Sequence, residues 1–280
     1  MNKVMYFWLA IKTVLATCDS DRKENGFKKV KSEYSISTVG KLPKIATESS
    51  GLAKGEKVNT FWTHNDSGGK PELYEIDPSG KLLSTKAIAG AENIDWEDLA
   101  REGDGTLYIG DFGNNDNNRQ TLDIYKLPAG KSSAEKITFN YAGQKTFPPA
   151  AAGMIYDCEA FFYSSKNLYL FSKKGFKSDE YVRLYRMPAE PGNYSLSPVD
   201  SIQIETQVTS ADISPDGKTF ALLTYGKVLL FAIENGKIDF KLPTGCFRIV
   251  KKQAEALIFL NNSDMMLTNE QGQIFFITRR

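Results

Sequence analysis

Histidine is nearly missing from this chain: His64 is the only one in 280 residues. A Ser-His-Asp triad would have a single imidazole to draw on, and no Gly-x-Ser-x-Gly, no phosphate-cradling glycine loop and no His-Glu-x-x-His accompanies it. Net charge is nearly absent as well, with 35 Lys and Arg against 34 Asp and Glu. No overall field gathers polyanions, so nucleic acid is not an expected partner. Helical periodicity of useful length is lacking, and so is an apolar run long enough to span a bilayer as a permanent helix. Cysteine is scarce, at three, which rules out a disulfide-dense miniature scaffold.

What is present begins at the N-terminus. Lys3 precedes the apolar run from Val4 to Ile11, and Val14-Leu15-Ala16-Thr17 lead into Cys18. That length and charge pattern suit a signal peptide over residues 1–17. Leu15-Ala16-Thr17-Cys18 resembles a bacterial lipobox, which implies that Cys18 becomes the lipidated first residue of the mature chain. An ordinary cleaved leader and a cytosolic start are the alternatives. The charge-rich stretch from Asp19 to Lys31 reads as a solvated tether (residues 18–31), followed by one domain over 32–280. Cys158 and Cys246 are then left for the folded part, where a disulfide between them is possible in an oxidising compartment.

A faint repeat runs through the domain. Ser50-Gly51-Leu52, Glu97-Asp98-Leu99, Glu159-Ala160-Phe161, Ala211-Asp212-Ile213 and Glu255-Ala256-Leu257 recur at intervals that each suit one four-stranded propeller blade. Each interval supplies strand-like segments: 60–64, 72–77 and 82–89; 106–111, 122–127 and 136–141; 167–172, 182–187 and 199–204; 219–224, 227–233 and 237–242. The last unit has only three, 257–260, 265–269 and 273–278, and an N-terminal strand over 34–39 can complete it. The sequence therefore predicts an all-β, five-bladed propeller closed by that strand, with six blades as the alternative.

Propeller symmetry carries a repeated position to one axis. Here that position reads Ser50, Glu97, Glu159, Ala211 and Glu255. Three glutamates about one axis repel as bare anions, and nothing in the repeat supplies a matching ring of Lys or Arg. A divalent cation would resolve the repulsion, and an oxygen-only set with a serine suits Ca²⁺, so Ser50, Glu97, Glu159 and Glu255 are the candidate metal ligands. The plainer reading is that these groups cap strands and hold water; proton transfer is a third.

Loops between second and third strands open on the same face. They carry His64, Asp66 and Asp111 as catalytic candidates, and Lys173, Lys174, Tyr225 and Asn269 as candidate substrate contacts. Packing for His64, a polar hairpin loop for Asp111 to Asn118 and ordinary surface for the lysine pair are the plainer alternatives.

Trp62-Thr63-His64-Asn65-Asp66-Ser67-Gly68-Gly69, Asp95-Trp96-Glu97-Asp98-Leu99-Ala100 and Leu107-Tyr108-Ile109-Gly110-Asp111-Phe112-Gly113-Asn114, with Glu48-Ser49-Ser50-Gly51-Leu52 and Leu73-Tyr74-Glu75-Ile76-Asp77, resemble the SdiA-regulated and esterase-like phytase group of bacterial propellers. The resemblance is clearest over residues 48–128 and implies fold and export. The ring resembles that of the calcium-activated nucleotidase (apyrase) family, five-bladed propellers with serines and glutamates about a central Ca²⁺. Ala211 departs from that pattern, where the family places a serine; Ser210 or Asp212 would have to substitute.

Two functions follow as expectations. One is a lipid-anchored binding or scaffold protein at the outer membrane or cell surface of a bacterial envelope, with Ca²⁺ as a bolt and an extracellular or periplasmic ligand on the channel face. The other is a calcium-dependent phosphohydrolase acting on nucleotides or phytate-like esters, in which Lys173 and Lys174 steady a phosphate-bearing small molecule. Glycan hydrolysis by Glu97 and Glu159 is a third, more demanding reading.

Overall fold

The computed structural model describes residues 17–46, 48–174, 181–249 and 253–280. Apart from Thr17, the expected signal peptide lies outside them. In chain order the elements are α1 (Asp19–Asn25), β1 (Lys28–Lys29), β2 (Tyr34–Lys41), β3 (Ser49–Lys54), β4 (Phe61–Asn65), β5 (Glu72–Ile76), β6 (Leu82–Ala87), β7 (Trp96–Arg101), β8 (Leu107–Asp111), β9 (Leu122–Leu127) and β10 (Glu135–Tyr141). There follow β11 (Cys158–Ser164), β12 (Asn167–Ser172), β13 (Tyr181–Pro188), β14 (Gly192–Leu196), β15 (Asp200–Gln203), β16 (Val208–Ile213), β17 (Thr219–Thr224), β18 (Lys227–Ala232), β19 (Pro243–Arg248), β20 (Ala254–Phe259), β21 (Met265–Asn269) and β22 (Gln273–Arg279).

These strands make five sheets: β3-β4-β5-β6, β7-β8-β9-β10-β14, β11-β12-β13-β15, β16-β17-β18-β19-β1 and β20-β21-β22-β2. The protein is a five-bladed β-propeller. β2 closes the ring as expected, pairing antiparallel with β22 from Tyr34 opposite Arg279 to Lys41 opposite Gln273. Inner strands are buried on both faces, which is why their sequences lack alternation: β8 and β20 are buried throughout. Outer strands alternate, as in β13, where Val182, Leu184 and Met187 are buried and Tyr181, Arg186 and Pro188 are exposed. Adjacent blades share apolar seams, such as Phe162, Phe171, Phe220 and Phe231 between blades three and four. Phe220 stacks on Phe231 with ring centroids 4.6 Å apart.

Three expectations need correcting. The fourth strand of blade four is Pro243–Arg248, not 237–242; Asn235 and Gly236 both have positive φ and make a turn that delays the strand. The stretch after Cys18 is not a solvated tether. α1 sits against blades three and four, with Asp21 buried and its carboxylate 2.5 Å from the Lys227 ammonium, itself fully buried and 3.1 Å from Glu205. β1 then extends blade four as a parallel fifth strand beside β19, and Phe27 packs edge-on against Phe231.

Third, Cys246 is bonded to Cys18 rather than to Cys158, which stays a buried free thiol. A disulfide and a thioether to lipid cannot share one sulfur, so the structure puts a covalent clasp where the lipobox resemblance puts an anchor. Among the described residues no helix is long and apolar enough to cross a membrane.

A further strand went unforeseen. Between β13 and β15 the chain crosses to blade two, where β14 pairs parallel with β10 before it returns.

Candidate functional site: the acidic channel mouth

Every innermost strand opens with the same irregularity. The pairing with the second strand skips one residue between Ser49 and Gly51, Trp96 and Asp98, Cys158 and Ala160, Val208 and Ser210, and Ala254 and Ala256. Each is a β-bulge, which turns one side chain out of the regular alternation at the strand end. The five bulged residues are Ser50, Glu97, Glu159, Thr209 and Glu255. Four were anticipated; in blade four Thr209, not Ala211, holds the position. Ala211 lies two residues further along, and a strand's period of two keeps i and i+2 on one face, so the apolar pattern alone could not separate them. All five bulged residues are buried. Thr209 departs in chemistry too, donating its hydroxyl to the Ala254 carbonyl at 2.9 Å.

Just inside the bulges lies a second polar layer. Asp98 accepts from the backbone amides of Leu99, Phe161 and Ala211 and from the Ser210 hydroxyl, joining blades two, three and four. Ser210 in turn accepts from the Leu257 amide of blade five, and the Ser49 hydroxyl bonds Thr63 and Thr268 across blades one and five. Burial pushes Asp98 well above the usual carboxyl range despite these donors. Its role is to tie blades together.

Loops then crowd carboxyl groups over the blade-one and blade-two side. One oxygen each from Asp66, Asp95 and Glu97 lies within 4.8 Å of the others. Gly113 makes room: a Cβ there would collide with Glu97 Oε1 and Asp95 Oδ2. The loop holding Gly113 is braced by Arg119, which donates to the carbonyls of Gly113 at 2.8 Å and Asp111 at 3.0 Å and to Asp111 Oδ1 at 3.2 Å. Asp111 Oδ1 also accepts from the Asp95 amide, so this buried candidate shapes the cradle from behind. Burial, then Asp66 and Asp157, raise the Asp95 carboxyl to about 7. Glu97 is pushed well above its ordinary value by burial and by Glu159, Asp66 and Asp95.

Lys173 supplies the cation that the repeat does not. It follows β12, and its ammonium lies 2.5 Å from Glu159 Oε1. Burial opposes its charge, but Glu159, Tyr225, Asp157 and Glu97 together hold it well above the usual lysine value. Glu159, through burial, still rises to about 8. Across the mouth Glu255 is pushed up by burial and by the neighbouring Glu270, while its Oε1 is buried with no hydrogen-bond partner. Tyr225 is close enough for its field to reach Glu255, Glu159 and Lys173.

The remaining candidates do other work. His64 is fully buried, edge-on to Trp96 at 5.4 Å, with Nδ1 2.9 Å from the Asn65 carbonyl. Burial lowers it to about 4, so it is neutral at pH 7 and serves as packing between blades one and two. Lys174 donates to the Glu205 carbonyl. Asn269 accepts from the amides of Gln271 and Gln273 and organises the β21–β22 turn. Asp95 and Asp157 each stand two residues before a bulged glutamate, Glu97 and Glu159, and that i−2 spacing is the signal the sequence carries for them.

No protein-family model and no curated protein matches this chain. Solved structures similar to it include Kuenenia stuttgartiensis hydrazine synthase, at 14% identity over 81% of this chain and 57% of that one, TM-score 0.43. The β-propeller domain of Myceliophteria thermophila Cps50 (Swd1) is 10% identical over 86% and 99%, TM-score 0.44. An inactive Staphylococcus aureus virginiamycin B lyase crystallised with quinupristin is 12% identical over 85% and 69%, TM-score 0.40. Likenesses this distant carry no argument about chemistry.

Proposed function

We propose that this protein is an exported bacterial binding propeller whose channel mouth recognises its ligand through a bound divalent cation, with Ca²⁺ the best-suited ion. The observation that carries the reading is the convergence of Asp66, Asp95 and Glu97 within 4.8 Å of one another, beside a glycine whose missing side chain lets the Glu97 and Asp95 carboxylates close in on the backbone. An all-oxygen, carboxylate set suits Ca²⁺, a hard cation that takes six to eight oxygens at about 2.3–2.6 Å. The buried unpartnered oxygen of Glu255 supports it, as do the carboxyls of Glu97 and Glu255, raised by burial first and by neighbouring carboxylates second, because a nearby positive charge would favour their ionised forms. Glu159, expected as a direct ligand, becomes an outer member of the mouth, since Lys173 already engages it. Export is supported by the leader and by a disulfide that suits an oxidising compartment. A lipid on Cys18 would need the sulfur that Cys246 holds.

The alternative is the calcium-dependent phosphohydrolase of nucleotides or phytate-like esters. It is disfavoured by the engagement of the other basic groups: Lys174 bonds a backbone carbonyl and Arg119 braces a loop. Calorimetric titration of calcium into the full chain, beside Glu97→Gln and beside phosphate-release assays on nucleoside diphosphates and phytate, tests both. Saturable binding lost in the variant, without phosphate release, is the expected result; calcium-dependent release would favour the enzyme, and no binding would refute the proposal.

A further inference from the structure

The charge of Lys173 reaches seven carboxyl groups: Asp66, Asp95, Glu97, Asp157, Glu159, Glu255 and Glu270. Its side chain is about nine-tenths buried, and its ammonium has Glu159 at 2.5 Å and Asn115 Oδ1 at 3.5 Å. The backbone is pinned, because the Lys173 amide donates to the Asp157 carbonyl at 2.8 Å. Its stem has four rotatable carbons, so taking the ammonium off Glu159 asks for a side-chain rearrangement and not for a shift of the strand. A tethered ammonium and a free divalent ion would draw on one pool of negative charge, and at close range in a partly dry mouth they repel.

We infer that Lys173 is a resident counter-ion that competes with the incoming divalent cation, so that it sets both the affinity and the selectivity of the mouth. The inference rests on the cation-binding reading above. A divalent ion gains twice the attraction of the ammonium and can displace it; a monovalent ion gains only an equal attraction and loses the advantage of the tether. Lys173 is therefore a specificity-determining residue rather than a ligand.

Calcium titrations of the wild-type chain, Lys173→Met and Lys173→Arg test this. Removing the charge should tighten calcium binding about tenfold or more, and the arginine variant should stay within about threefold of wild type. Sodium at equal ionic strength should weaken calcium binding more in the methionine variant than in wild type. Equal or weaker calcium binding in Lys173→Met would overturn the inference while leaving the cation site standing. Binding by Lys173→Met alone would uphold the inference and refute the wild-type cation site; binding by neither would refute both. Should Lys173→Met fail to fold, lysine-selective NMR of the wild-type chain decides: the Lys173 ammonium signal should shift or exchange faster at saturating calcium, and an unmoved signal while calorimetry reports binding overturns the inference.

Discussion

Blades two and four bring the same backbone to the channel mouth and opposite chemistry. Both inner strands bulge one residue in, yet blade two places Glu97 there beneath Asp95, while blade four places Thr209, whose hydroxyl is spent on the Ala254 carbonyl of the next blade. The contrast separates two roles that propeller symmetry superimposes. The bulge is a property of the fold and recurs in every blade; the charge is a property of particular blades and falls where loops add further carboxyls.

Breaking the layer common to both blades should cost most. Asp98→Ala leaves three buried backbone amides without their acceptor, and a loss of about 3 kcal/mol or more in a urea titration is expected. Next, Cys246→Ser removes the clasp that holds α1 against blade four and should cost about 2–5 kcal/mol, while intact mass spectrometry of the native protein should show Cys18 oxidised to Cys246 rather than acylated. On the acidic side, Glu97→Gln should weaken calcium binding by about a hundredfold, through lost charge and a lost ligand.

pH sharpens the same contrast. Asp95 near 7 and Glu159 near 8, with Glu97 and Glu255 also raised, make the folded chain hold more protons than the unfolded one between about pH 4.5 and 8. Stability without calcium should therefore fall as pH rises through that window, by about 5 °C in the thermal midpoint, and saturating calcium should flatten the slope while releasing protons. The smallest effect belongs to blade four: Thr209→Val should change calcium affinity less than about twofold and cost about 1 kcal/mol for its hydrogen bond.

The sequence was most readable where chemistry and fold coincide. The strand-like segments read between the repeats fall mostly within a residue or two of the strands, and Glu97, Glu159 and Glu255 stand at the mouth because their blades repeat the same spacing. Thr209 was missed for want of a distinguishing period. The α1 segment was misread because its docking depends on one buried ion pair, a disulfide and Phe27 rather than on an apolar stripe. Lys173 was visible as a residue but not as a counter-ion, since nothing local announces that a loop lysine in blade three will stand among carboxyls from blades one, two and five.

Anomalous scattering from crystals of the full chain grown with calcium, or with terbium in its place, tests the central claim most directly. An ion within about 2.3–2.6 Å of oxygens from Asp66, Asp95 and Glu97, beside Gly113, is the predicted result. A saturated crystal whose ions lie elsewhere, with that pocket empty and Lys173 still on Glu159, would contradict it.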